Sequence, residues 1–149
     1  MAQSMSSTGT RAPFQWLALV IGAVYLLVGI AGFFVTGFDG FAEHDHDQTL
    51  LGFAINPLHN IVHLLIGILG LTMWSSPGKA RTFGWLLVVG YGAAFIYGLF
   101  AVNNPDINFL NINVADNWLH ILSVAAGLAI ALWPRKHVDT TTPGAQRQY

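Results

Sequence analysis

Long apolar stretches separated by short polar segments dominate the pattern of this chain. A membrane-spanning helix needs about 20 mostly apolar residues. Four stretches reach or approach that length: Phe14 to Thr36, Asn56 to Trp74, Phe83 to Val102 and Asn113 to Trp133. The pattern therefore predicts an all-α fold, with one domain of four transmembrane helices in residues 14–134. The polar segments 1–13 and 135–149 are predicted to be disordered.

Residues near the ends of these stretches match the preferences of helix termini. Asn56 and Asn113 are expected to be the N-caps of the second and fourth helices. Asp116 falls in the first turn of the fourth helix, where the helix dipole favours a carboxylate. Pro77-Gly78 is expected to break the short link between the second and third helices.

One phrase occurs twice in the chain. The copies read Asn60-Ile61-Val62-His63-Leu64-Leu65 and Asn117-Trp118-Leu119-His120-Ile121-Leu122. Gly70-Leu71 and Gly127-Leu128 follow the two copies at the same spacing. The repeat predicts that the four helices form two related hairpins.

The composition supports a membrane protein. Of 149 residues, 54% are hydrophobic and only 9% are charged, whereas soluble domains carry about 25% charged residues. The chain has no cysteine, which excludes disulfides, thiolate metal sites and iron–sulfur clusters. The net charge of -1 provides no basic surface for nucleic acid. The expected partner is a lipid bilayer; a homo-oligomer and a second membrane protein are both left open.

The distribution of charge predicts the orientation of the helices. The Lys and Arg residues all fall in the N-terminus, the middle link or the C-terminal tail: Arg11, Lys79, Arg81, Arg135, Lys136 and Arg147. The positive-inside rule therefore places both termini and the middle link in the cytoplasm. This topology predicts a multi-pass protein of the bacterial plasma membrane, with most of its acidic residues on the outer side.

Three histidines, His59, His63 and His120, lie inside the apolar stretches. Ionisable groups in a bilayer are costly and mark the first place to look for function. Residues three or four apart share a helix face, which predicts two inward-facing stripes. The stripes are His59, His63, Gly67 and Gly70 on the second helix, and Asp116, His120, Ser123 and Gly127 on the fourth. We expect them on neighbouring faces, with His63 and His120 about 10 Å below the outer helix ends.

Several interpretations of these polar residues are open. In a structural one, the histidines with Asn60, Asn117 and Ser123 form hydrogen bonds between helices. In a second, His59, His63, His120 and Asp116 bind zinc or another divalent transition metal. In a third, His63 and His120 are axial ligands of haem. A proton relay or pH sensor is a fourth.

The sequence favours a non-enzymatic protein among these interpretations. It offers no Gly-rich phosphate loop and no nucleophile–base pair, and we identify no catalytic residue. The site expected from the pattern is an inward-facing His/Asn/Asp cluster near the outer leaflet. A metal-binding or haem-binding redox protein that uses the same histidines is the alternative.

Two segments of the chain resemble a known family. They are Asn56-Pro57-Leu58-His59-Asn60-Ile61-Val62-His63-Leu64-Leu65-Ile66-Gly67 and Asn117-Trp118-Leu119-His120. The family consists of small bacterial membrane proteins, mainly from actinobacteria, and is known as a domain of unknown function. The resemblance extends over about Phe14 to Trp133. It implies a four-helix membrane protein from an actinobacterium and assigns no activity, cofactor or catalytic residue.

Reporter fusions test the orientation. Fusions at the C-terminal tail and after Pro77 should report a cytoplasmic location, because the positively charged segments are retained on that side. Fusions near Asp45 and Asn108 should report an external location. A C-terminal reporter on the outer side would contradict the topology and would move the histidines to the opposite leaflet.

Overall fold

Each of the four apolar stretches forms a helix in the computed structural model, which describes residues 10–134. The helices are α1 (Pro13–Thr36), α2 (Pro57–Met73), α3 (Pro77–Ala101) and α4 (Val114–Ala131). The predicted all-α fold with four helices is confirmed. By length and composition α1, α3 and α4 are able to cross a membrane, and α2, at 17 residues, is shorter. The predicted tail at 135–149 and most of the predicted disordered N-terminus lie outside the described residues.

The link between α2 and α3 is shorter than the sequence predicted. Pro77 is the first residue of α3, and Ser76 is its N-cap. Proline suits that position, because its missing N–H would have no helical partner there and its φ is already helical. The prediction that Pro77-Gly78 breaks the link is therefore wrong, and α3 begins at Pro77 instead of Phe83.

The predicted N-caps of α2 and α4 are confirmed. Asn56 Oδ1 accepts a hydrogen bond of 2.9 Å from the His59 N–H. Asn113 Oδ1 accepts one of 3.1 Å from the Asp116 N–H, and Asp116 Oδ2 accepts one of 2.8 Å from the Asn113 N–H. This reciprocal pair is a capping box, so Asp116 helps to start α4.

Glycines bring the two helices of each hairpin into close contact. α1 packs mainly on α2, and α3 packs mainly on α4. A Cβ atom built on Gly70 would lie 2.5 Å from Gly22 Cα, and one built on Gly127 would lie 2.7 Å from the Gly84 carbonyl oxygen. Small residues allow this approach in membrane helices. Gly67, Gly70 and Gly127 are buried against neighbouring helices, as the stripes predicted.

The two hairpins meet through contacts of α3 with α2 and α1, and of α1 with α4, at the centre of the bundle. The rings of Tyr25 and Tyr91 stack there with centroids 5.2 Å apart. Within residues 10–134, α2 and α4 do not pack against each other. The two histidine stripes are buried but make no direct helix-to-helix contact, so their expected position on neighbouring faces stays a prediction.

The bundle buries polar side chains and exposes apolar ones. The buried polar residues are Gln15, Asn56, His59, Asn60, His63, Asn108, Asn111, Asp116, His120 and Ser123. On the outside, Leu27 is 65% exposed and Phe34 is 88% exposed. Soluble proteins rarely expose a large continuous apolar surface. This arrangement is that of a membrane protein, whose helices satisfy polar groups inside the bundle.

In each hairpin, a side chain of the first helix donates hydrogen bonds to carbonyl groups at the C-terminal end of the second helix. Gln15 Nε2 donates to the Trp74 and Ser75 carbonyls at 3.1 and 3.0 Å. Arg81 Nη1 donates to the Ala131 carbonyl at 2.8 Å. Trp74 and Ala131 are equivalent positions of the repeat. These bonds satisfy carbonyl groups that a helix end leaves without partners.

A β-hairpin lies in the long loop between α1 and α2, a feature the sequence did not predict. Strands β1 (Thr49–Leu50) and β2 (Phe53–Ala54) pair antiparallel. The two turn residues, Leu51 and Gly52, have φ of 55° and 89°. Positive φ at both central residues is the requirement of a type I′ hairpin turn.

The two N-cap asparagines also join the loops of opposite hairpins. Asn56 Nδ2 donates to the Phe109 carbonyl, in the loop before α4, at 2.8 Å. Asn113 Nδ2 donates to the Gly52 carbonyl, in the loop before α2, at 2.9 Å. We call this end of the bundle the loop end, and the opposite end, which holds Pro13 and Pro77, the terminal end.

The glycine contacts predict how the bundle responds to added volume. Gly70→Ala and Gly127→Ala should each lower the free energy of unfolding by about 1–3 kcal/mol, because the new methyl group overpacks a helix contact. Thermal or denaturant unfolding in detergent measures this change.

Gly92→Ala is the matched control. Gly92 also lies within a helix, but a Cβ there has no heavy atom from elsewhere in the described chain within 4 Å. Its substitution should leave stability unchanged or raise it, since alanine has the higher helix propensity. Equal stability of all three variants would contradict the packing described above.

Candidate ligand-binding site between the hairpins

The three predicted histidines lie in the halves of α2 and α4 nearest the loop end. His59, His63 and His120 are each at most 4% exposed. His59 and His63 are one helical turn apart on α2, so their rings face each other with centroids 4.4 Å apart. His120 comes from α4, on the far side of the bundle centre.

Two tyrosines connect the histidines of the two hairpins. The Tyr25 ring lies 5.1 Å from the His63 ring, and the Tyr91 ring lies 5.4 Å from the His120 ring. Since Tyr25 and Tyr91 also stack on each other, the rings form a row from His59 through to His120. The sequence predicts for both tyrosines a role in packing or weak hydrogen bonding and not in catalysis. The sequence did contain a signal for their central position, because each tyrosine lies on the same helix face as the buried small residues of its own helix.

A small cavity between α2 and α3 brings the three histidines together. It has a volume of about 90 Å³ and is lined by His59, His63, Tyr91 and His120, with apolar side chains from α2, α3 and the loop before α4. A cavity needs about 10–15 Å³ to hold one water. The space is therefore large enough for several waters or for the polar end of a ligand.

Polar atoms of the cavity side chains lack protein partners. Within the described part of the chain, His59 Nδ1, His63 Nδ1, His120 Nδ1 and Tyr91 Oη make no hydrogen bond. A buried polar atom without a partner costs about 1–3 kcal/mol. Such a concentration of unpartnered atoms at one cavity is typical of a binding site and unusual for packing.

Ser123 is joined to this group of rings by a hydrogen bond with Tyr25. The Ser123 hydroxyl donates to the Leu119 carbonyl at 2.8 Å. Its oxygen therefore accepts the hydrogen bond from the Tyr25 hydroxyl, with the two oxygens 2.6 Å apart. This bond links α1 to α4 beside the row of rings.

Asp116, the fourth predicted metal ligand, lies apart from the cavity lining. It is buried in the capping box of α4, where Asp116 Oδ2 is occupied by the Asn113 N–H. Among residues 10–134, no group of three His, Asp or Glu side chains has an arrangement that holds one metal ion. The metal site with His59, His63, His120 and Asp116 stays a prediction.

The space between His63 and His120 does not suit haem. The Tyr25 ring lies against His63 and the Tyr91 ring lies against His120, so tyrosines crowd the space that a haem held by both histidines would need. The cavity of about 90 Å³ is also well below the about 300–1,000 Å³ of pockets for drug-sized ligands. We therefore do not propose haem.

The repeated asparagines occupy helix contacts outside the cavity. The Asn60 amide lies directly against Gly32, and the Asn117 amide lies directly against Gly98. Asn60 Nδ2 also donates to Thr36 Oγ1 at 3.0 Å. Each asparagine thus fits a space that only glycine leaves on the partner helix.

Comparison with known proteins agrees with the resemblance found in the sequence. No curated protein and no solved structure matches the chain. A family model described as "Domain of unknown function (DUF4383)" matches residues 15–133. The match includes α1 from Gln15 onward, the other three helices and every residue of the cavity lining named above. The bacterial, mainly actinobacterial origin stays a prediction. The chain belongs to the DUF4383 family, a domain of unknown function.

Proposed function

We propose that this chain is a non-enzymatic integral membrane protein that binds a small polar ligand between its hairpins. The observation that carries the proposal is the cavity of about 90 Å³ lined by three histidines and Tyr91, each of which has a buried polar atom without a hydrogen-bond partner in the described residues. Hydrogen bonds to a ligand or to bound water would satisfy these atoms. The protein side chains then form the permanent part of the site, and the bound ligand or water supplies the missing hydrogen bonds.

The contrast with Asn60 supports binding over a purely structural role. Asn60 Nδ2 donates to Thr36 Oγ1 and the amide lies directly against Gly32, as expected of a residue that joins helices, while Asn60 Oδ1 has no partner in the described residues. His63 Nδ1 and His120 Nδ1 make no hydrogen bond within the described residues. Their polarity therefore contributes little to holding the helices together.

The proposed location is the plasma membrane of a bacterium, with the loop end outside. The described Lys and Arg residues, Arg11, Lys79 and Arg81, lie at the terminal end, which the positive-inside rule assigns to the cytoplasm. His63 follows the start of α2 by six residues, which places it about 9 Å from that helix end. The ligand site is then in the outer half of the bilayer.

A divalent transition metal is the second candidate ligand. The close approach of the His59 and His63 rings favours it, because two imidazoles one turn apart are a common half of a metal site. The remaining ligands would be His120 after a rearrangement, or water.

Stability measurements distinguish a binding site from a structural cluster. His63→Leu and His120→Leu should leave the free energy of unfolding unchanged or raise it by on the order of 1 kcal/mol. The reason is that replacing a buried polar group that lacks a partner with an apolar one is neutral or stabilising. Thermal unfolding should follow exhaustive detergent exchange, which removes small bound molecules that would stabilise the wild type.

Asn60→Leu is the matched control on the same helix. It should lower the free energy of unfolding, because it loses the bond to Thr36 and forces a larger group against Gly32. Equal destabilisation by the histidine and asparagine substitutions would show a structural cluster and would remove the basis for the proposed function.

Metal analysis separates the two candidate ligands. If the ligand is a neutral organic molecule, protein purified in detergent should hold no stoichiometric transition metal and should show no visible band when Co²⁺ is added. A metal that is present at one per chain, and that is lost in both His59→Ala and His63→Ala, would establish the second candidate instead. In that case affinity should fall at low pH, since only neutral imidazole binds metal.

A further inference from the structure

A cavity at the terminal end of the bundle is lined by two arginines. It has a volume of about 540 Å³, within the range of small-molecule pockets. Its walls include Arg11 and Phe14 at the start of α1, Gly78 and Arg81 of α3, and Trp133 beyond the end of α4. One arginine comes from each hairpin. We call this cavity the basic pocket.

The Arg81 side chain is held in place at the wall of the basic pocket. Its Nη1 donates to the Ala131 carbonyl at 2.8 Å, and its Nη2 donates to the Trp133 carbonyl at 2.6 Å. Its guanidinium carbon lies 4.8 Å from the centre of the buried Phe14 ring. A guanidinium has five N–H donors, so these two bonds leave donors for a further acceptor. Arg81 is thus preorganised to bind an anion.

Arg11 reaches the same pocket from the first hairpin. Its guanidinium carbon lies 4.3 Å from the centre of the Trp74 ring. This cation–π contact attracts the side chain to the end of α2, but an aromatic ring carries no net charge and does not neutralise the arginine. The pocket therefore has two full positive charges on its walls.

The described carboxylates lie at the opposite end of the bundle. They are those of Asp39, Glu43, Asp45, Asp47, Asp106 and Asp116, in the loops of the loop end or in the first turn of α4. Neither α1 nor α3 has an acidic residue in its first turn. Like charges around one cavity repel each other, and an anion placed between them removes that repulsion.

The chemistry and depth of the basic pocket favour a phosphate group. The guanidinium fork matches the oxygens of a phosphate and binds two of them at once. Basic pockets between membrane helices bind phospholipid head groups in this way. Trp74 and Trp133 lie beside the two arginines, and tryptophan is enriched at the level of the head groups.

We propose that the basic pocket binds a phosphate group, carried by an anionic lipid head group or by a water-soluble phosphate ester. The bound phosphate contacts Arg11 of the first hairpin and Arg81 of the second. It joins the hairpins at the terminal end, as the loop asparagines do at the loop end. This site is separate from the three-histidine cavity, so the outcome of its test does not bear on the proposed function.

Native mass spectrometry of the full chain in a neutral detergent tests the proposal. The probes are dioleoylphosphatidylglycerol, which is anionic, and dioleoylphosphatidylcholine, whose phosphate is paired with its own choline cation. The first should bind at one molecule per chain, about tenfold more tightly than the second, because only its phosphate charge is available to the arginines. Equal affinities for the two lipids would overturn the proposal.

A water-soluble probe distinguishes the two sources of phosphate. Glycerol 3-phosphate has the head-group chemistry without acyl chains. If it binds as tightly as phosphatidylglycerol and displaces it, the site is one for a soluble ester. If only the lipid binds, the site is one for a head group. Both outcomes support a phosphate site, whereas binding of neither probe would overturn it.

Arg11→Gln and Lys79→Gln form a matched pair of variants. Each removes one positive charge from the terminal end, but Lys79 is exposed and does not line the basic pocket. Arg11→Gln should weaken the binding of phosphatidylglycerol about tenfold, and Lys79→Gln should weaken it no more than about twofold. Equal losses would show a general effect of surface charge and would overturn the proposal.

Filling the basic pocket without a change of charge provides a second test. A Cβ on Gly78 has no heavy atom from elsewhere in the described chain within 4 Å, so Gly78→Phe should fold and occupy the pocket. Ser75→Phe, which is exposed in the preceding link and outside the pocket, is its control. Gly78→Phe should lose the bound phosphatidylglycerol, and Ser75→Phe should retain it. Undiminished binding to Gly78→Phe would overturn the proposal.

Discussion

The contact between glycine backbones inside each hairpin is the constraint on which the rest of this structure depends. Gly22 meets Gly70 in the first hairpin, and Gly84 meets Gly127 in the second. Lipid chains are as apolar as the side chains, so helices in a bilayer associate through close packing and hydrogen bonds and gain little from hydrophobic burial. Close approach at these points fixes the distance and register of each helix pair. That register in turn places the asparagine amides against their glycines and the histidines toward the centre.

The contact between the two hairpins is made by large aromatic side chains, whereas the contacts inside each hairpin are made by glycines. Large rings from Tyr25 and Tyr91 meet there, and they keep α2 and α4 apart. Rings of this size do not close-pack as glycine stripes do, so cavities remain on both sides of the row, and His63 borders each of them. Unpartnered polar atoms at such a seam lower stability. Proteins commonly tolerate that loss where a site requires it.

Hydrogen bonds between the loops join the two hairpins at the loop end of the bundle. Asn111, which is fully buried, adopts a φ of 53° that asparagine tolerates better than most residues. Its amide donates to the Asp45 carbonyl at 2.7 Å and to the Ile55 carbonyl at 2.9 Å. Together with the amides of Asn56 and Asn113, it joins the loop of one hairpin to the loop of the other.

The sequence by itself determined the four helices, the N-caps at Asn56 and Asn113, and the burial of the histidines and stripe glycines. These features depend on segment length, on local hydrogen bonds and on the 3.6-residue period, all of which a single segment contains. Only the tertiary structure decided that Tyr25 contacts His63 and Tyr91 contacts His120, and that Asp116 caps a helix apart from the cavity. Periodicity defines which face of a helix points inward, but it does not define which helix that face meets. The partner is chosen by packing between segments distant in the chain, here by glycines that pair α1 with α2 and α3 with α4 and so leave the two histidine helices on opposite sides of the bundle.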